Sequence, residues 1–336
     1  MSAEQENYSL QRWICFLSIF LFAVKLFAWY RTGSVSILAD ALESIVNVAA
    51  GFIGLYSLYV AAKPKDKDHP YGHGKAEFVS AALEGLMILA AGGLIMYNAI
   101  REFAVQTPIS HLDSGLYLVA VTAVLNYFFG LFCLRKGRKN NSLALEASGK
   151  HLIIDTFSTI GVIAGLVIIL LTRLYWIDRA IAILLGILVI YNGYKILRKS
   201  LAGIMDEADT AVLKAIIQIM EEHRAPNWID IHNLKVVKYG SRLHIDAHLT
   251  VPYYLTVEKA HEEVSDLQKI VGESFPSQIE FNMHLDPCRE WSCTICTKTD
   301  CPVRKHLLVR KMPWNVKDVL SPRQHSAAYR DIAEKD

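Results

Sequence analysis

Two four-residue spacings carry the most chemistry in this sequence. Glu43 and Asn47 in SVSILADALESIVNVAAG stand one helical turn apart, as do His151 and Asp155 in NSLALEASGKHLIIDTFSTIGVIAG. Asp40 falls one turn before Glu43 on the same face. One imidazole, two carboxylates and a carboxamide oxygen make a mixed nitrogen and oxygen donor set, suited to zinc and to other first-row divalent ions such as manganese, iron or cobalt. With Glu43 and Asp155 ionised and His151 neutral, the set carries two negative charges and matches one M²⁺. Without metal the same groups attract protons, so metal entry should expel protons and exchange against H⁺ is expected. Asp40 has three open roles: a further ligand, an entry-path carboxylate, or a partner that orients a ligand. The competing reading of polar groups in apolar helices is interhelical hydrogen bonding. It suits isolated residues such as Glu84, Asn98 and Asn126 better than two matched pairs.

The elements that must position these groups are membrane helices. Over 336 residues the chain is 52% hydrophobic and only 20% charged, too apolar for an ordinary soluble protein of its size. Six stretches, near 10–30, 35–61, 77–102, 113–134, 143–172 and 176–198, approach the roughly 20 apolar residues that cross a bilayer. Lys63, Lys65, Lys67 and Lys75 follow the second stretch, Arg135, Lys136, Arg138 and Lys139 the fourth, and Lys195, Arg198 and Lys199 the sixth. Basic loops on one side predict both termini in the cytoplasm. Glu43 and His151 then lie eight or nine residues in from opposite faces, about 12 to 14 Å at 1.5 Å per residue, so the pairs meet near the midplane. An ionisable group at such a depth costs roughly 2.5 to 3.5 kcal/mol and calls for a function. The polar, acidic start MSAEQENYSL is unlike a signal or transit peptide, and lysine and arginine form no nucleic-acid-binding stripe.

Three further clusters stand outside the apolar stretches. KPKDKDHPYGHGKAE brings Asp66, Asp68, His69 and His73 into one short loop, which reads either as a metal site or as a solvated turn. From about Asp206 the periodicity changes to helix, strand, strand, helix, strand, a pattern that fits a small open-faced sandwich with His232, His248, His261, His284 and Asp286 on it. Cys288, Cys293, Cys296 and Cys301 crowd PCREWSCTICTKTDCPVRKH at a spacing that suits structural zinc or an iron–sulfur cluster, against the alternative of reduced unligated thiols. Cys15 and Cys133 read as buried thiols in apolar helices, and the last residues, KMPWNVKDVLSPRQHSAAYRDIAEKD, as a loosely ordered tail.

SVSILADALES, HPYGHGKAE and HLIID, followed by a histidine-bearing domain, resemble the cation diffusion facilitator family up to about Pro287. The resemblance implies a homodimer of α-helical membrane subunits, each with six transmembrane helices followed by a cytoplasmic α+β ferredoxin-like (αββαβ) domain. It implies efflux of divalent metal against protons by alternating access. The family's transport quartet falls on Glu43, Asn47, His151 and Asp155, where glutamate and asparagine replace the usual histidine or aspartate followed by aspartate. A second site is implied on Asp66, His69 and His73, and a cytoplasmic site on His232, His248, His261, His284 and Asp286.

The expected domains are a transport domain over 1–205, a regulatory and dimerisation domain over 206–287, and a cysteine-containing tail over 288–336. The expected partners are a second copy of the chain, divalent metal ions with zinc first, protons and the lipid bilayer of a bacterial inner membrane. A membrane-embedded metal sensor that signals without transporting is the alternative. An intramembrane metalloenzyme would need a general acid or base beside the metal, and no HExxH-like arrangement is present.

Overall fold

A computed structural model describes residues 3–61, 63–105, 112–139, 143–239, 242–275 and 279–327. The chain divides into two compact units, Met1–Tyr59 with Val79–Leu201, and Val60–Phe78 with Ala202–Asp336.

The first unit is built from α1 (Ala3–Thr32), α2 (Val35–Ala61), α3 (Ala76–Val105), α4 (Leu112–Lys139), α5 (Leu143–Thr172) and α6 (Trp176–Ile204). Five of them contain a stretch long and apolar enough to cross a membrane: Val35–Ala61, Ala76–Phe103, Asp113–Lys136, Leu152–Thr172 and Trp176–Ile204. α1 is a sixth long helix, and most side chains of its first half lie outside the described residues. The surface has the inverse polarity of a soluble protein. Phe20, Phe27, Phe52, Tyr56, Phe128 and Leu171 are exposed, while Lys25, Asp40, Asn126, Asp155 and Asp178 are buried. Hydrocarbon as solvent favours that arrangement.

Glycine lets two helix pairs approach closely, as expected where helices associate in lipid by packing small residues. On α5, a Cβ at Gly149 would lie 2.6 Å from the Leu134 backbone nitrogen and 2.8 Å from the Gly130 carbonyl oxygen of α4. On α3, a Cβ at Gly85 would lie 2.8 Å from the Leu197 nitrogen of α6. α2 is packed between these pairs. Its Ile37 joins Ala28, Val119, Val162 and Leu166 of α1, α4 and α5, and its Ala39 joins Ile95 and Val189 of α3 and α6. Gly33, at φ 69°, ends α1, and Asp178 of α6 then caps the start of α2. The Val35 N–H donates to Asp178 Oδ2 at 2.7 Å, and the Ser34 hydroxyl donates to Oδ1 at 2.7 Å. A carboxylate on unpaired helix N–H groups satisfies them and complements the helix dipole.

In the second unit the chain runs α7 (Thr210–Glu222), β1 (Asp230–Tyr239), β2 (Arg242–Val251), α8 (Val257–Ser274) and β3 (Ile279–Pro287). The sheet order is β1-β2-β3, with β1 and β2 antiparallel and β2 and β3 parallel across the α8 connection. Asp209 caps α7 and Thr256 caps α8 through their side-chain oxygens. Ile216, Met220, Val264 and Leu267 from the helices bury one sheet face, carrying Ile231, Ile245 and Leu249. Asn233, at φ 51°, makes a bulge where the β1–β2 register shifts between His232 and Lys235. The bulge keeps Ile231, Leu234 and Val236 all facing the core despite their broken alternation.

The tail departs from the loose order expected of it. A 3₁₀ helix (Glu290–Thr294) follows β3, and a short helix α9 (Val316–Val319) is capped by Asn315. Trp314 and Val319 are buried in the domain core, and the Arg224 guanidinium stacks 4.2 Å from the Trp314 ring. Hydrophobic residues in a polar stretch were the signal; residues 328–336 lie outside the described residues.

Candidate metal centres

Helical spacing on α2 and α5 sets the polar residues of the membrane unit. Asp155 is buried on α5, and Glu43 is half-buried on α2, one turn from Asp40. Lys25 Nζ lies 2.9 Å from Asp40 Oδ1 and 3.0 Å from Ser44 Oγ. This pair is enclosed, with side chains 1% and 3% exposed. Thr159 Oγ1 lies 2.9 Å from both Asp40 Oδ1 and the Asp155 carbonyl oxygen, so its single proton is shared between α2 and α5. Asp40 is therefore neutralised by a cation within the bundle, while its Oδ2 is buried with no hydrogen-bond partner among the described residues. Asn47 and His151 lie on the helical backbones of α2 and α5, and their side chains are outside the described residues.

In the loop between α2 and α3, Asp66, His69 and His73 converge, with ligand atoms all within 4.8 Å. Asp66 organises the turn: the backbone N–H groups of Asp68 and His69 donate to Oδ1 at 3.0 and 2.7 Å. The His69 N–H holds the exposed Asp66 carboxyl below the usual carboxylate range. His69 Nδ1 lies 3.1 Å from Oδ1 and His73 Nε2 lies 3.4 Å from Oδ2. The loop packs on the sheet of its own unit. Lys65 pairs with Glu280 at 2.5 Å, Tyr71 stacks on Tyr239 at 5.7 Å, and Lys75 pairs with Asp206 at 2.9 Å.

Period-two alternation puts the even residues of β2 on the face away from α7 and α8. Strand register then aligns His232, His248 and His284 in one row across all three strands. Ring centroids are 5.1 Å apart for His232 and His248, and 4.7 Å for His248 and His284. Asp286 lies between them: Oδ2 is 2.9 Å from His248 Nδ1 and 3.2 Å from His232 Nε2, and Oδ1 is 3.6 Å from His284 Nε2. His232, His248 and Asp286 meet the ligand spacing, all within 4.8 Å. His261 does not join this row within one chain. It is exposed on α8, which packs against the opposite sheet face.

Four groups around these sites escaped the sequence reading. Lys25 and Asp178 sit in otherwise apolar helices, where their ionisable character was itself the signal. Asp230 and His325 support the histidine row. His232 Nδ1 lies 3.4 Å from Asp230 Oδ2, and the Asp230 carboxylate accepts from the His325 backbone N–H at 2.9 Å. Burial pushes the Asp230 carboxyl up, but the neighbouring His232 ring and the hydrogen bonds from His325 outweigh it and hold it below the usual range.

The four cysteines of the tail line one small cavity, and none forms a disulfide. Burial and the three neighbouring thiols hold the Cys288 thiol above its ordinary range.

Two family models cover most of the chain: the cation efflux transmembrane domain matches residues 12–205, and the cation efflux protein cytoplasmic domain matches 208–288. Among curated relatives, an uncharacterized transporter of Synechocystis sp. is 32% identical over 268 residues, covering 80% of this chain and 86% of the relative. The cation-efflux pump FieF of Salmonella arizonae is 26% identical over 278 residues, covering 81% and 90%. FieF of Salmonella newport is 27% identical over 274 residues, covering 80% and 88%. A polytopic helical unit followed by a small α+β domain with histidine ligand sets is the make-up of a metal cation efflux transporter. The chain belongs to the cation diffusion facilitator family, and it is an integral membrane protein.

Proposed function

We propose that the protein exports a divalent first-row transition-metal ion, zinc foremost, in exchange for protons by alternating access, through a transport site of Glu43, Asn47, His151 and Asp155. The observation that carries this reading is a division of charge. Asp40 has its own cation in Lys25, which leaves the carboxylates of Glu43 and Asp155, on two different helices, to balance one M²⁺. When metal leaves, the same two carboxylates and His151 take up protons.

In this reading α1 is the sixth membrane span, both termini are cytoplasmic, and the membrane is a bacterial inner membrane. The ferredoxin-like domain over 206–287 pairs with that of a second copy. Its His232, His248, His284 and Asp286 row, with His261 reached only in a larger assembly, senses cytoplasmic metal, and Asp66, His69 and His73 form a capture or regulatory site. The test is zinc flux in proteoliposomes under an imposed pH gradient, with internal pH followed at the same time. Zinc movement coupled to opposite proton movement, lost in Asp155→Ala, is expected. Flux indifferent to the pH gradient would overturn antiport.

The histidine row also supports a second reading, a metal sensor without transport. It predicts metal binding with no flux in the same vesicles.

A further inference from the structure

We propose that Cys288, Cys293, Cys296 and Cys301 hold one structural zinc ion through four thiolates, at a site apart from the transport site and from the histidine row. Neither family model reaches beyond residue 288, so three of the four ligands belong to an extension that the shared domains do not contain.

The four side chains come from four successive local structures that line one cavity. Cys288 follows directly on β3, tied by its N–H to the Val251 carbonyl at 2.9 Å. Cys293 sits in the 3₁₀ helix Glu290–Thr294, Cys296 on the turn that follows, with its N–H 3.4 Å from the Cys293 carbonyl, and Cys301 in the next loop. All four line one small cavity, closed by Ile229, Pro252 and Arg304. Its polar lining holds four thiols with no imidazole or carboxylate, a soft donor set that suits zinc. Among the described residues, no three of these sulfurs lie within 4.8 Å of one another. Four bonds of about 2.3 Å to a tetrahedral zinc therefore require the thiol side chains to close on the ion.

Charge and fold agree with that assignment. Four thiolates around Zn²⁺ leave a net double negative charge, and two cations line the cavity, Lys298 and Arg304. Arg304 is fixed there by the carbonyls of Cys293, Cys296 and Lys298, at 3.3, 3.1 and 2.5 Å. The apolar cluster under the loop is small, with Ile229, Ile295, Cys296 and Met312 buried in it. Irregular segments with so little core are commonly held by a metal or by disulfides, and these cysteines are free. The same segment leads to His325 on Asp230, so zinc here also seats the support of the histidine row.

The experiment uses the full chain in detergent, dialysed against a moderate chelator, with metal content measured by mass spectrometry. Wild type and the histidine-row variant His232→Ala/His248→Ala are expected to retain one tightly bound zinc per chain. Cys293→Ser/Cys296→Ser is expected to lose it. X-ray absorption at the zinc edge of the retained ion in wild type should show four sulfur neighbours at about 2.3 Å, a reading that does not depend on the variant folding. Zinc retained by the cysteine variant, nitrogen and oxygen neighbours in the wild-type spectrum, or iron with acid-labile sulfide in place of zinc would each overturn the proposal. Flux in the cysteine variant separates this site from the transport reading, which stands or falls on Asp155→Ala.

Discussion

His325 Nδ1 lies 2.8 Å from Asp230 Oδ1, and both side chains are almost wholly buried, at 1% and 3% exposure. The contact joins residues 95 positions apart and carries the tail to the carboxylate that supports His232. A ring held on one nitrogen by a carboxylate keeps its orientation and tautomer for a metal on the other. His325→Ala is therefore expected to weaken zinc binding at the His232, His248 and Asp286 cluster by about 10- to 100-fold. Competition of the full chain with a chelator of known affinity measures it; unchanged affinity would leave His325 a packing residue only.

Lys25 and Asp40 should behave as a unit. Removing one partner of an enclosed ion pair strands the other charge, at about 3 to 5 kcal/mol. Lys25→Met is expected to lower the thermal midpoint in detergent sharply, and Lys25→Met/Asp40→Leu to recover most of the loss. Equal destabilisation by the single and double variants would show that the two charges are not coupled.

Asn47 is the one uncharged, amide-bearing member of the proposed quartet, so it is the place to look for metal preference. Asn47→Asp adds a third carboxylate to the proposed quartet and should raise zinc affinity. Parallel flux measurements with zinc, iron, manganese and cobalt test this, and an unaltered order of preference would remove Asn47 from the site.

The Gly149 contact makes a prediction about packing. A methyl group there meets the α4 backbone at 2.6 Å, where neither atom can rotate away, so α4 and α5 must separate. Gly149→Ala should cost about 1 to 3 kcal/mol and slow flux, because His151 lies two residues further along α5. Thermal unfolding and vesicle flux on one preparation would check both.

Asp209 gives the acid limb of stability. Lys238 Nζ, 2.5 Å away, holds the Asp209 carboxyl below its ordinary 3.8, helped by the N–H groups of Val212 and Ala211 and opposed by burial. A carboxyl lowered on folding contributes fully above its unfolded value and loses that contribution as pH falls through the folded one. Asp209→Asn should flatten stability against pH below about 4 while keeping the cap, whereas Asp209→Ala should also lose about 1 kcal/mol at neutral pH. Urea unfolding of the full chain at several pH values separates the two effects.

What could be read in advance follows from how local each signal is. Helical period placed Glu43 above Asn47 and His151 above Asp155, and strand alternation put His248 on the open face of its sheet, because both depend only on neighbours in sequence. The alignment of His232, His248 and His284 into one row depends on register, which the bulge at Asn233 shifts by a step that no composition reveals. Lys25 went unread although it is a lone base among apolar residues, and its partner is chosen by the packing of α1 on α2. Trp314 was hidden by the polar residues around it, since burial of a single ring needs only a cleft and no periodicity.

Trp314 and Val319 fill the same core as Leu213 and Leu267, although both lie beyond residue 288, where the matched family domain ends. The stretch matched by the family model and the stretch that folds as a body thus have different ends in this chain. A gene fragment trimmed at the homology boundary would expose an apolar socket, and its product would aggregate for reasons unrelated to metal or transport.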